Sequence, residues 1–159
     1  MRAVIEALQA LRGIARISAV TLVAELGQLS RFARPRQLMG YSGAVSREHS
    51  SGERIRRGAI SKAGNAHLRR IVIEAAWAYR HRPAIGKTLA ARQREQRPAV
   101  TEMAWKAQHR LHNRYRKLTA RGKPPQKVVT AVGRELLGFI WAIGVEVERR
   151  CAPSLQRAA

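Results

Sequence analysis

The segment from about Gln126 to Arg149 constrains this fold more than any other. Val129, Val132, Leu136, Ile140, Ile143 and Val147 recur at helical spacing. Leu137, Phe139 and Trp141 widen that stripe, so the helix is either central to the core or buried against a partner. Its longest near-apolar run, Leu136 to Val147, is 12 residues and too short to span a bilayer, so no membrane partner is expected. A chain of 159 residues, 45% of them hydrophobic, is long enough to wrap a core around such a helix. The expectation is an all-α, multi-helix domain over residues 1–150, with about five to six helices, and a disordered tail over 151–159.

Charge sets the partner. Lys and Arg number 31 against 10 acidic residues, for a net charge of +21. Such a charge favours a polyanion, because each phosphate contact releases a counterion. Arg outnumbers Lys 25 to 6, which suits bidentate phosphate contacts. The cations are spread along helices rather than gathered in a tail, so a folded basic surface is expected. Every acidic residue is Glu, and the absence of Asp excludes an Asp-based metal triad, a Ser-His-Asp triad and an EF-hand. A self-contained two-metal nuclease centre is disfavoured for the same reason. The lone cysteine, Cys151, excludes an internal disulfide, and the N-terminus lacks a signal peptide's apolar core. A cytoplasmic setting follows.

Along the chain, Ala3 to Leu11 reads as a helix, with Val4, Ala7, Leu8 and Leu11 on one face. Gly13-Ile14-Ala15-Arg16 interrupts it, and Ser18 can cap a second helix that Gly27 stops. Val20, Val23, Ala24 and Gly27 lie at helical spacing on this second helix. Residues 1–30 thus outline a helix-hairpin-helix, in which Gly13 and Arg16 would face a phosphate; an ordinary helical hairpin is the alternative. Pro35 opens a short helix. From Gly43 to Gly58 no helical periodicity or strand alternation stands out, and a loop or loose hairpin fits best. Asn65 can cap a helix with Leu68, Ile71, Val72, Ala75, Ala76 and Tyr79 on its stripe. Residues 85–98 are part helix, part linker. A long helix from about Ala99 to Leu118 buries Val100, Met103, Ala104, Ala107, Leu111, Tyr115 and Leu118, and crowds its remainder with cations.

Chemistry could reside in the polar stretch from Ser46 to Ser61. It holds Ser50-Ser51-Gly52, with Glu48 and His49 before it and Arg54, Arg56, Arg57 and Lys62 after it. A serine hydroxyl attacks a phosphodiester only when a base or metal takes its proton and cations hold the phosphate. By residue type alone such a segment is as readily a plain loop. Arg69 and Arg70, off the apolar stripe of the next helix, extend the cationic set. His109 and His112 stand i, i+3, but no Asp or Cys joins them, so no metal site is expected in this chain. Trp77, Trp105 and Trp141 read as core residues rather than base-stacking platforms.

These segments together resemble the C-terminal domain of the insertion-sequence-110 (also 116 and 902) transposases. The resemblance runs through Leu11-Arg12-Gly13-Ile14, Ala19 to Gly27, Arg31-Phe32, Gln37 to Gly43 and Ser50-Ser51-Gly52. It continues through Arg57 to Asn65, Leu68-Arg69-Arg70, Glu74 to Trp77, Ala104 to Gln108, Arg134-Glu135-Leu136 and Phe139 to Ile143. It implies a recombinase of two parts, an RNase-H-like domain with acidic ligands for a divalent metal such as Mg, and a C-terminal domain with a serine nucleophile. It also implies DNA and a guide (bridge) RNA as partners, a homo-oligomer in the full-length enzyme, and a prokaryotic, nucleoid-associated location. The position matching the nucleophile is Ser51, with Ser50 as the neighbouring alternative. Where the family reads Gly-hydrophobic-Gly in the hairpin, this chain has Ala15. With no Asp present, the metal-binding domain is expected outside this chain, which alone should bind nucleic acid without completing recombination. The rival expectations are a non-catalytic remnant or regulator of the intact enzyme and, from another class, a ribosome-associated basic helical protein.

Overall fold

The structure is a computed structural model describing residues 1–51, 54–61 and 63–151, with the backbone alone described for 46–51 and 54–59. In chain order the helices are α1 (Arg2–Leu8), α2 (Arg16–Leu26), α3 (Pro35–Tyr41), α4 (Ala66–Ala76), α5 (Lys87–Gln93), α6 (Pro98–Ala120) and α7 (Pro125–Cys151). Short 3-10 turns cover Leu29–Arg31 and Trp77–Arg80. Between α3 and α4 stands one antiparallel hairpin, β1 (Ser46–Ser51) and β2 (Arg54–Ile60). The all-α class is as expected, with seven helices among the described residues in place of five or six. The polar stretch takes the hairpin option rather than the loop, although its sequence lacks the apolar alternation that marks a half-buried strand.

α7 is the axis. It packs against α1, α3, α4, α6 and the Leu29–Arg31 turn. Val129, Val132, Leu136, Ile140 and Ile143 are buried, as the stripe predicts, and Val147 is half-buried. Leu137 joins the core directly, and Phe139 and Trp141 pack on its edge. Trp141 is tied to the body, its indole N–H donating to the Phe32 carbonyl at 2.8 Å. With 27 residues and a window of mean hydropathy 1.6, α7 is long and apolar enough to cross a membrane by length and composition. Five neighbouring elements cover it here, as a core helix requires.

Gly144 sets the closest approach on α7. A Cβ there would lie 3.0 Å from the Leu29 Cβ, closer than side chains ordinarily meet. One turn on, the Glu148 carboxylate accepts the amides of Leu29 and Ser30, both at 2.7 Å. Those donors open a 3-10 turn and have no partner within it, so the carboxylate caps them from another element.

Three readings of the termini and faces change. α1 stops at Leu8, and Leu11 is buried from the turn that follows. α2 starts at Arg16 with Ala15 as its uncapped N-cap, so Ser18 lies inside the helix and caps nothing. α2 buries Ala19, Leu22, Val23 and Leu26, leaving Val20 and Ala24 exposed and Ile17 83% exposed. Apolar residues on every side of α2 hide its inner face from periodicity. Asn65 caps α4 as expected, accepting the Leu68 amide at 2.8 Å. Trp105 departs from the core reading, being 40% exposed and edge-on to the His109 ring at 4.5 Å. Cys151 closes α7, and the expected tail over 152–159 lies outside the described residues.

Candidate nucleic-acid interface

The hairpin's base is built by two glycines from opposite ends of the segment. Gly43 (φ +67°) follows α3, and a Cβ there would sit 2.5 Å from the Ala63 carbonyl oxygen. Gly64 (φ +130°) precedes α4, and a Cβ there would sit 2.4 Å from the Tyr41 carbonyl oxygen. Each glycine thus makes room for the backbone of the other strand of the crossing. Amides close it, from Asn65 to the Tyr41 carbonyl (2.9 Å) and from Ser61 to the Val45 carbonyl (2.8 Å).

Side chains from α2 and α4 brace this crossing. Arg69 donates to the Ser42 carbonyl at 2.9 Å. The buried Ser42 hydroxyl donates to the Met39 carbonyl (2.8 Å) and accepts the Ala44 amide (3.3 Å). On the other flank Glu25 of α2 accepts Asn65 Nδ2 at 2.6 Å and lies 2.8 Å from His67 Nδ1. The bond from Asn65, the bond from His67 and the attraction of a charged His67 hold the Glu25 carboxyl below its usual range. The Tyr41 hydroxyl donates to the Glu25 carbonyl at 3.3 Å. Sequence reading assigned Glu25, Ser42 and His67 no role. Ser42 and His67 stand close to the two glycines in sequence, whereas Glu25 carries no such signal.

Beyond this base the strands pair Glu48 with Arg57, His49 with Arg56, Ser50 with Ile55 and Ser51 with Arg54. A register shift lies between Ser46 and Glu48, so β2 carries the extra residue. By the two-residue period, positions 49, 51, 54 and 56 fall on one side of the pleat and positions 48, 50, 55 and 57 on the other. The register therefore groups Ser51 with Arg54 and Arg56, and separates it from Ser50 and Arg57. Gly52, Glu53 and Lys62 lie outside the described residues.

The remaining candidates are placed as follows. Arg69 is half-buried and turned to the Ser42 carbonyl, whereas Arg70 is exposed and pairs with Glu74 one turn on at 2.9 Å. Gly13 (φ +83°) packs against α4, where a Cβ would lie 2.4 Å from the Ala75 carbonyl oxygen. Internal packing alone thus requires glycine at this turn. Arg16 is exposed at the first position of α2. The α1–α2 connection is pinned by Arg92 on the Ile14 carbonyl (2.6 Å), Gln93 on the Ala10 carbonyl (2.9 Å) and Arg12 on the Arg82 carbonyl (2.7 Å). Among the described residues no three His, Cys or Glu side chains converge on a point that could hold a metal. His112 is buried with Nδ1 3.2 Å from the Tyr79 carbonyl, apart from the exposed His109. The described residues do not fit a divalent ion.

The helical body with its polar hairpin coincides with a known transposase family. The model of the Transposase IS116/IS110/IS902 family matches residues 5–90, more than half the chain, from α1 into α5. The transposase y4qE of Sinorhizobium fredii is 52% identical over 149 residues, covering 94% of this chain and 38% of that protein. The transposase for insertion sequence element IS1111A of Coxiella burnetii is 38% identical over 68 residues, 43% of this chain and 19% of its own length. A family 20 transposase of Pseudomonas aeruginosa is 41% identical over 72 residues, 45% of this chain and 21% of its own. The chain belongs to the IS116/IS110/IS902 transposase family. It spans about two-fifths of the length of the Sinorhizobium relative, and the similarity to that relative carries on through α6 and α7.

Proposed function

We propose that this chain is the serine-bearing, nucleic-acid-binding part of an insertion-sequence transposase acting in DNA transposition. The observation that carries the reading is the hairpin register. It sets Ser51 opposite Arg54 at the end of a ribbon whose base is braced by two crossing glycines. A nucleophile needs a fixed approach to phosphorus and cations beside the phosphate oxygens, and this arrangement offers positions for both.

In the proposed step the Ser51 Oγ attacks a backbone phosphorus. An O–P bond to serine forms, the bond from phosphorus to the leaving sugar oxygen breaks, and that oxygen takes up a proton. The proton lost by Oγ goes to a base outside this chain, supplied by an RNase-H-like acidic domain. A later attack by a sugar hydroxyl on the phosphoserine releases the serine and joins strands. DNA is the substrate, a guide RNA its proposed selector, and the full-length enzyme is proposed to be a homo-oligomer. Arg54, Arg56, Arg57 and Lys62 are proposed to hold backbone phosphates, with Arg70, Gly13 and Arg16 adding contacts along α4 and α2.

The test mixes the full chain with a separately expressed RNase-H-like half, guide RNA and DNA, and looks for a covalent protein–DNA product. Ser51→Ala should abolish the adduct and leave DNA affinity within about twofold, because one hydroxyl is minor beside many phosphate contacts. Adduct from Ser51→Ala but not from Ser50→Ala moves the nucleophile by one residue. Adduct loss in neither variant reduces the chain to a binding module.

A further inference from the structure

A second cationic surface lies away from the hairpin, in the groove between the Trp77–Arg80 turn and the C-terminal half of α6. This groove of about 590 Å³ is lined by Arg80, Asn113, Tyr115, Arg116 and Lys117, together with Thr119 and Ala120 at the C-terminal end of α6. No carboxylate lines it. The contrast with the neighbouring face of α6 is sharp. There Arg110 and Arg114 both pair with Glu135 of α7, at 2.9 and 3.1 Å. Arg116 and Lys117 have no acidic partner among the described residues. Glu102, the one carboxylate within α6, is fourteen residues from Arg116, about 21 Å along the axis.

Arg80 is held for its task. Its guanidinium lies over the Trp77 ring, 5.8 Å from the centroid, and its Nε donates to His81 Nε2 at 3.1 Å. Those two contacts hold the guanidinium of a groove-lining residue through its Nε and ring face and leave its terminal amino groups unpaired among the described residues, lowering the entropy lost on meeting an anion. Asn113 adds a neutral donor. The aromatic rings nearby, Trp77 and Tyr115, are half-buried and offer no open platform for an unpaired base. A groove with cationic donors and no stacking surface suits a partner that presents phosphates and hides its bases.

We propose that this groove binds the phosphate backbone of duplex DNA, as a contact separate from the hairpin and independent of any chemistry at Ser51. It gives the protein two points of hold on one duplex, or one on each of two duplexes.

The full chain is titrated against a short DNA duplex, the same sequence as an RNA duplex, and its single strand, over a range of salt. Arg116→Gln/Lys117→Gln should lower the salt slope of DNA-duplex binding by about two units, since each phosphate contact contributes ~0.9. Arg97→Gln/Arg149→Gln, an equal charge loss at the opposite end of the α6–α7 pair, should leave the slope within half a contact of wild type. Arg56→Gln/Arg57→Gln is run in parallel. An unchanged slope there with a lowered slope in the groove variant sinks the hairpin surface and keeps the groove, and the reverse sinks the groove alone. A loss confined to single strands or to RNA also overturns the proposal. Acetylation of Lys117 in the unmutated protein gives a second readout. DNA should protect its amine, and equal modification with and without DNA counts against the groove.

Discussion

Glu25 joins three parts of the chain through one carboxylate and one carbonyl. Its carboxyl is held low by Asn65 and His67, so its stabilising contribution is present above the carboxyl's unfolded pKa and disappears as pH falls through the lower folded value. At pH 7 Glu25→Gln should unfold at lower urea than wild type, and the gap should close as pH drops below the usual Glu range near ~4.3. A gap constant down to pH 3 would show the charge to be irrelevant. Tyr79 is the opposite case. Burial pushes its hydroxyl upward, and that oxygen has no hydrogen-bond partner among the described residues. Tyr79→Phe removes an unsatisfied buried polar atom and keeps the ring, so denaturation should shift to higher stability by ~1 kcal/mol or more. A measured loss of stability would mean the hydroxyl is satisfied in solution. The role of Ser42 or Glu25 could not be read from sequence, because the α4 residues they meet, Arg69 and His67, lie 27 and 42 residues further along the chain. Ser51 could be singled out only through the resemblance, since neighbouring residue types alone describe an ordinary polar turn.

At the scale of elements, legibility followed amphipathic contrast. α4, α6 and α7 each carry one apolar stripe against a charged remainder, and their buried residues match it. α2 has no such contrast: of the residues at helical spacing Val23 is buried, whereas Val20 and Ala24 are exposed and Ala19 and Leu22 take the inner face. Gln108 and His112 are buried on α6 among apolar neighbours, each meeting one backbone group: the Ala84 N–H donates to Gln108 Oε1 at 3.1 Å and the Tyr79 carbonyl lies 3.2 Å from His112 Nδ1, while Gln108 Nε2 has no partner among the described residues. Polarity alone would have put both outside. The hairpin was hardest to read, since its pairing depends on the crossing beneath it rather than on an apolar face. The position of α7 leads to a strong expectation. Ile140→Ala, at a fully buried site on the axis, should destabilise the protein by about 2–5 kcal/mol. Loss of near-ultraviolet and far-ultraviolet dichroism should coincide in that variant, because the buried apolar residues form a single core cluster. Separate transitions would show a more divided body.

For the molecule as a whole, charge and architecture are distributed differently. A net charge of +21 sits on a chain in which three carboxylates, Glu25, Glu135 and Glu148, tie one element to another. That leaves cations in excess on the outside, a sign balance legible from composition, although which cations share a groove was not. The burial pattern joins the helices in one core, and the two hairpin strands pack chiefly on each other. The crossing under that hairpin has a consequence for how the chain could change. Because the Ser61 amide already bonds the Val45 carbonyl at 2.8 Å, those two residues stand as the first and last members of a four-residue turn. Residues 46–60 can then be excised and replaced by Asn-Gly, which reproduces that bond without moving either flank. The shortened protein should melt no lower than the parent, since the ring closed by the junction shrinks. A lower melting temperature would show that the hairpin props up its own base. If it melts as expected, the ribbon is an exchangeable cassette, and related chains could have traded one for another while leaving the helices beneath untouched.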